Sequence, residues 1–332
     1  MSRRVTLIPG DGIGPEVVES ARRVVDALKL DIAWEYRDAG LGAVDKYGSP
    51  LPEETLTSIK NNRIGLKGPT TTPIGTGHKS INVVLRQALE LYACIRPVKS
   101  LPNVESRYHD VDLIIVRENT EGLYKGLESQ ITNDAVVSLK VVTRAASIRI
   151  AQCAFSLAKK QNRKKVSTIH KANILKLGDG LFLNCARKVA EDYPEITAED
   201  VIIDALCMKL VTDPNRFDVL LLENLYGDIV SDLCAGLVGG LGLVPGANLG
   251  EQNAVFEAVH GSAPDIAGKG IANPIAMILS AVLMLEHLSE RSAAERLYQA
   301  VCKVLKLGAF RTPDLGGTSS TAQVTEAIIS QI

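Results

Sequence analysis

Val219-Leu220-Leu221-Leu222-Glu223-Asn224-Leu225-Tyr226-Gly227-Asp228-Ile229-Val230-Ser231-Asp232 is the stretch on which the reading of this chain turns. Its four leading aliphatic residues read as a buried strand. A helix starting at Gly227 sets Asp228 and Asp232 one turn apart on a common face. Two like charges there repel unless a cation lies between them, and an all-oxygen site suits a hard ion such as Mg2+ or Mn2+. A capping Asp followed by a solvated Asp satisfies the same spacing, so this stretch alone leaves both readings open.

The same strand-to-helix grammar opens the chain. Val5-Thr6-Leu7-Ile8 is a short apolar strand, and Pro9-Gly10-Asp11-Gly12-Ile13-Gly14-Pro15 turns it into a helix. Pro15 suits the first helical position, and Val17, Val18, Ala21, Val24, Val25 and Leu28 repeat at helical spacing. Strand, glycine turn and helix begin an α/β unit. A dinucleotide fingerprint needs GxGxxG, which Gly10, Gly12 and Gly14 do not supply, so a standard Rossmann site is not expected.

Further segments place polar groups at the ends of apolar strands. Ile64 to Lys67 reads as a strand running into a Thr-, Gly- and Pro-rich loop, Thr70 to Gly77, whose hydroxyls and N–H groups suit an anionic ligand. His78 to Arg86 runs into a helix through Tyr92, with Ser80, Asn82 and Arg86 near one end. Arg96 precedes Pro97, and Arg117 leaves a strand at 111–116. Guanidinium forks pair carboxylates bidentately, so Arg86, Arg96 and Arg117 point to a substrate with several carboxylates. Residues 125–145 read as a projecting hairpin, 146–160 as a helix, and Val201 to Ile203 as a strand ending at Asp204. His170-Lys171-Ala172-Asn173 leads into a helix, Ala254 to Asp265 is strand then loop, and Pro274 to Leu288 is an apolar helix.

The bulk numbers exclude several classes. A chain of 332 residues suffices for two lobes or one large α/β unit. With 37 Lys and Arg against 38 Asp and Glu, a generic nucleic-acid or membrane-surface protein is not expected. Aromatic content of 4% implies an aliphatic core. Six cysteines without a CxxC spacing read as reduced thiols in a reducing compartment, without structural zinc. Neither of the longest apolar stretches, about 232–249 and 274–285, offers the ~20 unbroken residues of a spanning helix. The N-terminal residues enter a strand at once and leave no room for a secretory signal, so a cytoplasmic protein is expected, or a matrix one if it is a trimmed mitochondrial chain.

From Thr6-Leu7-Ile8-Pro9-Gly10-Asp11-Gly12-Ile13-Gly14 to Asp314-Leu315-Gly316-Gly317, with Asn224 to Asp232 as the most specific element, the sequence closely resembles the β-decarboxylating dehydrogenases. These act on isocitrate, homoisocitrate, 3-isopropylmalate or tartrate. The resemblance implies an α/β fold of two lobes with a cleft between them, distinct from the Rossmann fold. Residues 1–95 and 243–332 would form the large, cofactor-side domain, and 96–242 the small, dimerising one with a clasp arm at about 125–145. It further implies Asp204, Asp228 and Asp232 as metal carboxylates, with Asp204 reaching the neighbouring subunit's site. Tyr124 and Lys171 match the acid/base pair, Lys171 again serving the partner, and Arg86, Arg96 and Arg117 match the carboxylate-binding arginines. Chemistry requires such a pair, because a base must take the hydroxyl proton and an acid must protonate the enol carbon after CO2 departs.

By the same resemblance, Ser80 and Asn82 stand where isocitrate enzymes hold a serine and an asparagine for the γ-carboxylate. Isopropylmalate enzymes place leucines there, and apolar groups poorly solvate a carboxylate. In His260-Gly261-Ser262-Ala263-Pro264-Asp265-Ile266, Asp265 can accept from both adenosine ribose hydroxyls and would repel a 2′-phosphate, so NAD is expected over NADP. Asn273 matches an adenine contact, and Thr71 and Glu257 lie where the family approaches nicotinamide. The expectation is an NAD- and Mg2+- or Mn2+-dependent isocitrate dehydrogenase of the tricarboxylic acid cycle, at least dimeric, with shared sites. Homoisocitrate, 3-isopropylmalate or tartrate as substrate, and a regulatory subunit of a hetero-oligomer, are the alternatives.

Overall fold

The computed structural model describes residues 3–71 and 80–332. The expected ligand loop beyond Thr71, with His78 and Lys79, lies outside the described residues. The chain divides into two compact units, Met1–Leu91 with Ser100–His109 and Ala235–Ile332, and Tyr92–Lys99 with Asp110–Cys234. Each unit takes more than one pass of the chain.

The chain enters the first unit with β1 (Arg3–Ile8), α1 (Gly14–Ala27), β2 (Ile32–Tyr36), α2 (Leu41–Tyr47), α3 (Glu53–Asn62), β3 (Ile64–Lys67) and α4 (Ile81–Ala88). It then runs through β4 (Ala93–Lys99), β5 (Asp112–Glu118), β6 (Gly122–Thr132), β7 (Ala135–Val141), α5 (Arg144–Lys160) and β8 (Lys165–His170). α6 (Gly178–Ala190), β9 (Thr197–Ile202), α7 (Ile203–Thr212), β10 (Val219–Leu222) and α8 (Asn224–Leu237) follow. β11 (Pro245–Leu249), β12 (Ala254–Ala258), α9 (Ile275–His287), α10 (Arg291–Leu307) and α11 (Thr321–Ile329) complete the described strands and α-helices.

In the first unit the strands run in the order β2-β1-β3-β12-β11, parallel except for the antiparallel β11–β12 pair. In the second the order is β4-β5-β10-β8-β9, parallel except for β4–β5. β6 and β7 make a separate antiparallel ribbon turning at Asn133-Asp134. The buried face of α1 is the expected one, with Val17, Val18, Ala21, Val24 and Val25 almost wholly shielded. α9 is buried nearly all round, which its continuous apolar sequence allows. The core is aliphatic, as in the cluster of Ile8, Leu56, Ile59, Leu85, Leu89 and Val255.

Five local readings are corrected. α8 starts at Asn224, before Gly227, with Glu223 accepting from the Tyr226 and Gly227 N–H groups through its side chain and carbonyl. α4 ends at Ala88, because Glu90 takes a left-handed φ of 52° and the Leu91 N–H returns to the Arg86 carbonyl at 2.8 Å. Arg117 lies within β5 and is 1% exposed. Asp204, expected at a strand end, stands in the first turn of α7, and the segment after Lys171 turns before α6 begins.

Candidate active site

In the second unit, β5 and α8 build one polar cluster. Arg117 leaves its place in β5 toward α8, and its Nε and Nη2 donate to the Asn224 Oδ1 at 3.1 and 2.7 Å. Its Nη1 bonds Asp228, and its guanidinium stacks over the Tyr124 ring at 5.0 Å. Tyr124 donates its hydroxyl to the other Asp228 oxygen. Arg96, on β4, bonds Ser231 and stands 3.6 Å from Asp228 and 3.7 Å from Asp232. Asn224 is in turn fixed by its own donation to the Glu121 carbonyl at 3.0 Å. Five predicted site residues, Arg96, Arg117, Tyr124, Asp228 and Asp232, therefore converge.

The electrostatics of the cluster follow from partial burial. Burial pushes the Tyr124 phenol up from its ordinary value, and the Asp228 carboxylate adds to the shift. Burial also raises Asp232, against the pull of Arg96 and with the push of Asp228. Two acceptor-only carboxylates one turn apart, Asp228 about a third open to solvent at 35% and Asp232 more than half at 58%, fit a hard divalent cation. Among the described residues no three His, Cys, Asp or Glu side chains converge to hold a metal. Asp204 is elsewhere in the unit, exposed and paired with Lys171, whose proximity lowers its carboxyl. The Lys171 backbone N–H is tied to Asp179 at 2.6 Å.

In the first unit, Ser80 stands at the N-terminus of α4, and Asn82 and Arg86 follow on one helical face. The Asn82 oxygen accepts from Thr70 at 3.4 Å. Arg86 is buried beside Glu257 at 3.3 Å, and its Nε has no partner among the described residues. Glu257 also pairs with Lys67 at 2.7 Å and accepts from Asn248 at 2.8 Å. Lys67 was missed from sequence. The available signal was one lysine closing the otherwise apolar run Ile64-Gly65-Leu66, a charge that such a strand tolerates only with a partner.

The loop from His260 to Gly268 is docked on the opening glycine turn. Ile13 N–H donates to the Ser262 carbonyl at 2.9 Å, Thr71 and Ser262 hydroxyls meet at 2.7 Å, and Gly268 N–H reaches Glu16 at 2.6 Å. A Cβ on Gly12, at φ +61°, would lie 1.9 Å from the Ser262 carbonyl oxygen. Asp11 holds the Thr71 and Leu41 N–H groups at 2.7 and 2.8 Å. The turn that fails as a phosphate fingerprint therefore serves as a backbone seat for this loop, and Asp11, Gly12 and Glu16 are the residues sequence reasoning left without a role. Ala263 takes a left-handed φ of 38°, carrying Pro264, Asp265 and Ile266 outward. Asp265 is exposed, and no hydrogen bond or ion pair to another described residue occupies it. His260 is partly buried, and that burial pulls its imidazole below the ordinary histidine value; Nδ1 faces the Gly261 carbonyl at 3.0 Å, and Nε2 is shielded without a described partner. An open carboxylate and a bare, buried acceptor fit a ligand with hydroxyls and N–H groups, as the adenosine of NAD has.

The family described as isocitrate/isopropylmalate dehydrogenase matches residues 4–328. Over 328 residues the chain is 55% identical to the mitochondrial NAD isocitrate dehydrogenase catalytic subunit 5 of Arabidopsis thaliana, covering 98% of this chain and 88% of that protein. It is also 55% identical, over 306 residues, to a chloroplastic 3-isopropylmalate dehydrogenase of Solanum tuberosum, covering 92% and 86%. A crystal structure of isocitrate dehydrogenase from Methylococcus capsulatus matches with a TM-score of 0.97 at 53% identity, covering 100% of this chain and 99% of that one. The architecture is that of an α/β dehydrogenase outside the Rossmann class. The chain belongs to the isocitrate/isopropylmalate dehydrogenase family.

Proposed function

We propose that this chain oxidatively decarboxylates isocitrate to 2-oxoglutarate and CO2 with reduction of NAD. Equal identity to an isocitrate and an isopropylmalate relative leaves substrate choice to the residues that meet the third substituent. The observation that carries the reading is the set of polar groups along α4, from its N-terminus to its last turn. Ser80, Asn82 and Arg86 offer a hydroxyl, an amide and a guanidinium from one short helix, which suits a third carboxylate and would leave an isopropyl group against polar atoms.

The remaining roles follow from the chain's own side chains. Arg96 and Arg117 neutralise substrate carboxylates. Lys171, reaching a neighbouring subunit, takes the hydroxyl proton as the alcohol becomes a ketone and its hydride leaves for the nicotinamide. Tyr124, which burial keeps protonated, delivers a proton to the enol carbon after the β-carboxylate departs as CO2. Asp228 and Asp232, with Asp204 from the neighbouring subunit, would hold a divalent cation, Mg2+ or Mn2+, that supplies Lewis-acid polarisation of the hydroxyl and α-carboxylate. Asp265 accepts from the ribose hydroxyls and disfavours a 2′-phosphate. The assembly is a homodimer or larger, acting in the cytoplasm, or in the matrix if the chain is a processed mitochondrial one.

Steady-state rates with isocitrate, homoisocitrate, 3-isopropylmalate and tartrate, each with NAD and NADP and with Mg2+ or Mn2+, test this. Isocitrate with NAD is expected to exceed every other pair by about tenfold or more in kcat/KM. A higher value with 3-isopropylmalate would overturn the substrate assignment, and no NADH without a second type of chain would favour a regulatory subunit.

A further inference from the structure

We infer that Asp314 is a positioning residue for Asn273, fixing its amide so that it presents one N–H donor to the cofactor's adenine. The inference rests on the assignment of Asn273 to the adenine side of NAD. Asp314 belongs to the 3-10 turn Pro313–Leu315, remote in sequence from the loop before α9 that carries Asn273. Asn273 is 8% exposed, so its amide groups need partners. The backbone N–H of Ile275 donates to its Oδ1 at 3.0 Å, and its Nδ2 donates to Asp314 Oδ2 at 2.9 Å. An N–H on one side and a carboxylate on the other admit only one orientation of the amide.

Two more contacts hold Asp314 to this task. The Thr312 hydroxyl donates to its other oxygen at 2.5 Å, and Thr312 itself is 1% exposed. Gly242 lies over the hydrogen-bonded pair, where a Cβ would come within 2.9 Å of Asp314 Oδ2 and 3.2 Å of Asn273 Nδ2. With one amide hydrogen on Asp314 and the oxygen facing Ile275, the second Nδ2 hydrogen is what Asn273 can offer a ligand. A lone donor reads a ring nitrogen of adenine rather than its amino group. The shielded Nε2 of His260, left as an acceptor by the Nδ1 contact to Gly261, is of the opposite polarity and suits the amino group. Without Asp314 only the Ile275 N–H still holds the Asn273 amide, and the donor is delivered only part of the time.

Binding of NADH to the full chain, followed by nicotinamide fluorescence without substrate, tests this through a cycle of Asp314→Ala, Asn273→Ala and the double variant. Asp314→Ala is expected to weaken NADH roughly 3- to 10-fold, and this loss should vanish on the Asn273→Ala background. Asp314→Asn keeps an acceptor for Nδ2, so it should bind within about twofold of the parent chain. Undiminished binding by Asp314→Ala while Asn273→Ala binds poorly would overturn the positioning role and leave the adenine assignment standing. A full additional loss in the double variant, or Asn as damaging as Ala at 314, would overturn it too. Undiminished binding by Asn273→Ala would instead remove the adenine assignment, and this inference with it.

Discussion

Glu257 shows how one buried charge is kept in an otherwise apolar strand. Burial alone would raise its carboxyl, but Lys67, and after it Arg86, outweigh that penalty and hold the pKa at about 2, against an ordinary 4.5. Because the folded value lies below the unfolded one, ionised Glu257 contributes stability that is fully present above about pH 4.5. That contribution is lost as pH falls toward 2. Glu257→Gln is therefore expected to be less stable than the parent at pH 7, by about 3–5 kcal/mol for a broken buried pair. It should also show a shallower fall in stability between pH 4.5 and pH 2, the window bounded by the two pKa values. Urea titrations at several pH values measure both quantities. Parallel acid limbs for the two proteins would refute the account of Glu257.

At the scale of the element, α8 carries its function through a glycine. In the sequence Gly227 reads as a helix start, since glycine punctuates chains. The structure places it inside the first turns, where a Cβ would stand 2.5 Å from Arg117 Cγ and 2.7 Å from Arg117 Cβ. Arg117 needs that space to reach both Asn224 and Asp228. The requirement comes from a neighbouring strand, so no local pattern could reveal it. The buried face of α1, the all-round burial of α9 and the apolar strands were legible because their signal, periodic in α1 and continuous in α9, lies within the element itself. The tie between the Pro9–Gly14 turn and the 260–268 loop was not, because it is made by backbone groups that any sequence possesses. Gly227→Ala is expected to dislodge Arg117, lowering kcat/KM for isocitrate by about 100-fold and stability by about 1–3 kcal/mol. Steady-state kinetics and denaturant unfolding check the two numbers, and unchanged kinetics would mean that Arg117 does not meet the substrate.

At the scale of the whole molecule, the candidate catalytic residues of the second unit fall into two groups. Tyr124 belongs with Asp228 and Asp232, whereas Lys171 belongs with Asp204, and among the described residues no third acidic group joins the α8 pair. The shared-site proposal brings the two groups together by drawing them from two chains. The exposed apolar residues agree with a second copy: Ile131, Val136 and Leu139 on the β6–β7 ribbon, and Leu177, which is 90% exposed. A lone two-stranded ribbon is marginal in water, and apolar residues on it call for a covering surface. The test is complementation. Tyr124→Phe and Lys171→Met chains, each inactive alone, are expected to form hybrid dimers in which one of the two sites lacks both groups and the other has both. Isolated through two different affinity tags, such hybrids should show about half the parental kcat per dimer. Homodimers separated from the same mixture serve as the inactive reference. Verified hybrids that are as inactive as those homodimers would put Tyr124 and Lys171 to work within one chain and overturn the shared site.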